Sequence, residues 1–92
     1  MMRHNRMEEC WKWMVEFATR RGVVVMVDTL SREGGGWRVG AKRYVIINKV
    51  IPMKRRIAIL KNALDVQWEE EYVPPVVREV LISFKMEGES YA

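Results

Sequence analysis

Histidine and cysteine are almost absent from this chain: His4 and Cys10 are the sole examples of each. A zinc site needs several histidine, cysteine or carboxylate ligands at set spacing, and a serine or cysteine nucleophile needs a base beside it. His4 and Cys10 lie six residues apart, so a helix does not bring them together on one face. No catalytic residue, metal ligand or cofactor is therefore expected. A lone cysteine forms no internal disulfide and suits a reducing cytoplasm. Long apolar runs are missing as well. The longest, Val23 to Val27, falls far short of the roughly 18 residues that suggest a membrane span. The opening MMRHNRMEEC holds no apolar signal core. The expected setting is cytoplasmic, away from any membrane. Repeats, low-complexity tracts and linkers are lacking too, so 1–92 reads as one domain, with 1–4 and 89–92 expected to fray.

What is present is a folded composition, 49% hydrophobic. A chain of 92 residues buries a modest core, so its stability margin is thin unless it oligomerises.

The organising stretch is Gly36 to Leu64. Gly40-Ala41 suits a two-residue type II′ turn between Trp37-Arg38-Val39 and Lys42 to Asn48. Tyr44-Val45-Ile46-Ile47 is β-branched and aromatic, as strands prefer, and apolar on both faces. Pro52 ends the strand and opens a helix. On that helix Ile57, Leu60 and Leu64 form one stripe, while Lys54, Arg55, Arg56 and Lys61 lie off it.

Upstream, Asn5 with Glu8 has the form of a capping box. Met7, Cys10, Trp11, Met14, Phe17 and Ala18 keep helical spacing, and Gly22 fits a helix C′ position. Trp13 falls off this stripe. It reads either as a contact surface or as a ring lying over neighbouring side chains. Val23 to Thr29 is a second strand, again apolar on both faces. Ser31 to Gly36 is expected to be a mobile loop. Its three glycines lack the Lys-Ser/Thr of a phosphate-binding loop and run into a strand instead of a helix. Downstream, Asp65 to Tyr72 is acidic and without helical spacing. A last helix begins near Pro75, carries Val76, Val77, Val80, Leu81 and Phe84 on its apolar face, and ends at Gly88.

The expected fold is a two-layer α+β domain in the order α-β-β-β-α-α. A small, mostly antiparallel three-stranded sheet packs with helices. Both main strands are apolar on successive residues, so one sheet face is expected to stay bare and to join a second copy. Met26 and Ile46, with Trp13, are the candidate interface residues.

Charge divides along the chain. Arg32 to Lys61 carries nine basic residues and one acid, whereas Asp65 to Ala92 carries two basic residues and seven acids. One reading is nucleic-acid binding through Trp37, Arg38, Lys42, Arg43, Lys54, Arg55 and Arg56, with Trp37 and Tyr44 available for stacking. The other folds Glu69-Glu70-Glu71 back over Lys54-Arg55-Arg56 and neutralises it.

Gly22-Val23-Val24-Val25, Gly34-Gly35-Gly36, Val45-Ile46-Ile47-Asn48 and Arg55-Arg56 occur in the order of a strand, a glycine-rich loop, a hairpin and a helix. Over about half the chain, Phe17 to Asp65, this resembles the core of the ImmA/IrrE-type zinc metallopeptidases. The resemblance implies that the family's H-E-x-x-H falls on Lys61-Asn62-Ala63-Leu64-Asp65. Both zinc-holding histidines and the water-activating glutamate are missing there. The hairpin and the YVPPVVREVL ending also resemble small uncharacterised bacterial proteins. The functional expectations run in order: a non-enzymatic protein acting through protein contacts or as a homodimer, a nucleic-acid binder, and a degenerate peptidase-like regulatory module.

Overall fold

The computed structural model describes residues 5–86, so the expectations for 1–4, Gly88 and 89–92 lie outside the described residues. The elements are α1 (Arg6–Arg20), β1 (Val23–Asp28), β2 (Gly34–Val39), β3 (Lys42–Asn48), α2 (Met53–Ala63), a short 3₁₀ turn (Trp68–Glu70) and α3 (Pro75–Met86). This is the expected α+β class and order.

Local signals place the helix ends. The Asn5 side chain accepts from the Glu8 amide at 3.1 Å, which satisfies one orphan donor of the first turn. Gly22 leaves α1 at φ +82°, a conformation other residues adopt with difficulty. Gly40 at φ +60° allows the tight turn that pairs Val39 with Lys42.

The sheet is mixed. β2 and β3 form the antiparallel hairpin, but β1 pairs with β3 in parallel, in the spatial order β1-β3-β2. The expectation of a mostly antiparallel sheet thus holds for one of its two pairings. The chain leaves β1, passes the end of β3, runs back along the far edge as β2, and returns between the two as β3. Asn48 fastens this crossing. Its buried side-chain amide donates to the carbonyls of Leu30 at 3.0 Å and Arg32 at 2.9 Å, and its Oδ1 accepts from the Val50 amide at 3.1 Å.

Gly34 to Gly36 is strand, paired with Ile47, Ile46 and Val45, and not the expected mobile loop. The cause is close packing. A Cβ on Gly34 would lie 2.3 Å from the Ile46 carbonyl oxygen, and one on Gly36 would lie 3.3 Å from that of Tyr44. Glycine here permits a tight strand approach, not motion.

α1 packs on β1, and α2 on β3 and β2, while α3 packs on α1. The core runs through Cys10, Met14, Phe17, Val23, Val45, Ile47, Ile57, Leu60, Leu64, Val77 and Phe84. The three predicted helical stripes are the buried ones.

Candidate functional site

Alternation decides which strand residues meet the helices. Val23, Val25, Val45 and Ile47 join the helical core. Register puts Val24, Met26, Tyr44 and Ile46 on the opposite face, with Gly35 and Trp37 of β2 beside them. The two residues singled out from the sequence, Met26 and Ile46, are direct cross-strand neighbours on this open face. Both are half-buried by their neighbours in the sheet.

At the β2 side the face deepens into a groove of about 380 Å³. Ile46 and the glycines form its floor, Leu30 to Arg32 one wall, and Trp37 the other. Trp37 stacks on Tyr44 with ring centroids 5.3 Å apart and planes 10° apart, yet stays 44% exposed. Nothing in the sequence pattern marks Leu30 as a wall, because Asn48 puts it there by gripping its carbonyl.

Trp13 occupies a different place. It stacks on Phe17 at 5.1 Å, and Phe17 in turn meets Trp68 at 5.1 Å. The Arg21 guanidinium lies 4.4 Å over the Phe17 ring and pairs with Glu71 at 2.7 Å. Trp13 therefore lies over neighbouring side chains, part of a cluster that fastens the 3₁₀ turn to α1.

Of the seven basic and aromatic residues assigned to nucleic acid, Arg43, Arg55 and Arg56 hold partners within the fold. Arg43 donates to the Ala63 carbonyl at 2.6 Å, where a cation suits the C-terminal end of α2. Arg55 grips Glu33 with both carboxylate oxygens engaged, at 2.8 to 3.0 Å. Those hydrogen bonds hold the Glu33 carboxyl below the usual carboxylate range. Arg56 donates to the Lys49 carbonyl and lies near the Trp11 ring. Of the residues in the expected fold-back of Glu69-Glu70-Glu71 over Lys54-Arg55-Arg56, Glu71 therefore reaches Arg21 and Arg55 reaches Glu33. Lys54 lies exposed on α2, while Arg38 and Lys42 are exposed at the hairpin end beside Trp37.

Cys10 lies in the core, where burial pushes its thiol up to about 12. That favours the neutral form and makes a poor nucleophile. Among the described residues no three His, Cys, Asp or Glu side chains cluster as metal ligands. Of the five positions where the peptidase motif would fall, Lys61 to Ala63 form the end of α2, and Leu64 just beyond it is buried. A second concavity, of about 260 Å³, lies between the end of α2, the 3₁₀ turn and α3. Val73, Trp68 and Leu81 line it, with Lys61 and Arg78. Sequence reasoning missed it, because its walls come from three elements whose docking no local pattern records. No helix among the described residues is long and apolar enough to cross a membrane. No protein-family model, curated protein or solved structure matches this chain.

Proposed function

We propose that this chain is a small non-enzymatic cytoplasmic protein that acts through protein contacts, with the open sheet face as its contact surface and a second copy as its partner. One observation supports the reading. The helices pack on one face of the sheet, while Val24, Met26, Ile46, Tyr44 and Trp37 line the other. Fully burying a valine or isoleucine is worth about 1.5–3 kcal/mol. Several such side chains side by side therefore favour association, and a two-fold dimer is its commonest form. In sedimentation velocity the wild type is expected to run as a dimer. Ile46→Lys, in the groove floor, should give a folded monomer or a dissociation constant raised at least tenfold. Met26→Lys, on the far strand, should have a smaller effect. A wild type that remains monomeric at high concentration defeats this reading.

One observation favours a second reading, nucleic-acid binding: exposed Lys42 shares the sheet face of the Trp37–Tyr44 stack, and exposed Arg38 follows Trp37 along the strand. Binding to RNA or DNA would then weaken steeply with salt, and Arg38→Glu with Lys42→Glu would abolish it. No detectable binding at low salt removes this reading.

A further inference from the structure

β2 is an edge strand that opens with three glycines, and the fold explains two of them. Gly34 is required twice over, by its φ of +138° and by the Ile46 carbonyl 2.3 Å from where its Cβ would lie. Gly36 sits under α2, where a Cβ would crowd the Tyr44 carbonyl oxygen at 3.3 Å. Gly35 differs. A Cβ there meets nothing within 4 Å, and its φ is not in the left-handed region. A glycine inside a strand weakens it and often marks the close approach of another backbone or a ligand. Here it leaves a slot in the groove floor, on the open face, between Leu30 and Trp37. Two residues further along the same strand and face, Trp37 holds its ring half out of the protein.

We propose that the second copy joins along β2, antiparallel about a two-fold axis at Gly36, so that Trp37 of each copy lies across Gly35 of the other. This rests on the reading of the chain as self-associating and places the contact at the β2 edge of the open face, where Trp37 of one copy covers the groove over Gly35 and Ile46 of the other. The pairing follows from the spacing. Residues equally distant from Gly36 face each other across the axis, which sets Gly35 opposite Trp37 and Gly34 opposite Arg38. Both members of each pair keep their own face of the sheet, so the two three-stranded sheets merge into one of six strands with all helices on one side. An aromatic ring over a cross-strand glycine covers the bare backbone that glycine leaves. The same register brings Arg38 opposite Gly34, next in sequence to the other copy's Glu33, so unlike charges approach. The β1 edge, five apolar residues and Asp28, offers no comparable knob and slot.

Two measurements test this. Amide hydrogen exchange of the wild type, followed as its concentration is raised through the dimer dissociation constant, should slow at least tenfold within Gly34–Val39 and stay unchanged within Val23–Asp28. Mixing Gly35→Cys chains with Trp37→Cys chains under mild oxidation should give a covalent heterodimer, whereas neither variant alone should cross-link. The buried Cys10 thiol does not compete. Slowed β2 amides without the mixed cross-link overturn the register. A dimer that protects β1, or neither edge, overturns the proposal and leaves self-association standing. A wild type that is monomeric throughout overturns both.

Discussion

Ile46 and Ile47 are chemically identical neighbours in one strand, with opposite roles. Ile47 is fully buried beneath the helices, while Ile46 looks away from them and floors an open groove. The same contrast holds for Val23 and Val24 of β1, one buried and one half-buried. Apolar residues stand on both sides, so hydrophobicity alone does not say which face holds the fold. The helices do, by covering one side. What they leave is a surface whose apolar character contributes little to the monomer, and this makes it the place to look for a partner.

The largest expected effect sharpens that contrast. Ile47→Ala should cost about 2–5 kcal/mol in chemical denaturation, as truncation of a buried isoleucine does. Ile46→Ala, measured at concentrations low enough to keep the chain monomeric, should cost about 1 kcal/mol or less. Equal losses would mean that both faces are packed alike, and the comparison would collapse. Next comes the end of the sheet where the chain crosses over. Asn48→Ala leaves the Leu30 and Arg32 carbonyls without their donor and should cost about 1–3 kcal/mol. It should also loosen the Leu30 wall, seen as faster amide exchange across 29–33.

Two pH effects complete the series. On the covered side, burial raises the Cys10 pKa from 9.0 to about 12. The folded state then holds its proton more tightly than the unfolded state. The associated stability is full below about pH 9 and is lost as pH rises toward 12. Cys10→Ala should flatten that alkaline decline relative to the wild type in thermal melts. The smallest effect belongs to the exposed Glu33–Arg55 pair, which joins the loop before β2 to α2. Its lowered carboxyl pKa reverses the sign. The contribution is present above the usual carboxylate range and fades as pH falls through the lowered value. Solvent screens this pair, so Glu33→Gln should shift acid unfolding only slightly.

Much of the fold was legible because its signals are local. Asn5 with Glu8, Gly22, Gly40 and Pro52 each act within a few residues, and each marks an element boundary close to where it stands. The stripes of Ile57, Leu60 and Leu64, or Cys10, Met14 and Phe17, depend only on helical period. The candidate site was legible in part. Met26 and Ile46 were recognisable as surplus apolar residues, but not as neighbours, because adjacency across strands depends on register. The glycine run was misread for a similar reason. Its closest contacts are the carbonyls of Tyr44 and Ile46, eight residues from Gly36 and twelve from Gly34.

By itself, then, the sequence determined the number, kind and order of the elements, the turn of the hairpin, and which helical stripes face inward. These follow from backbone preferences and periodicity acting over short distances. Tertiary structure alone decided that β3 enters between β1 and β2 and pairs in parallel with β1. It also decided that Arg55 meets Glu33, that Arg43 meets the end of α2, and which sheet face the helices cover. Each of those outcomes is a choice among partners far apart along the chain, settled by how the helices dock and by Asn48 holding the crossing loop at the end of the sheet.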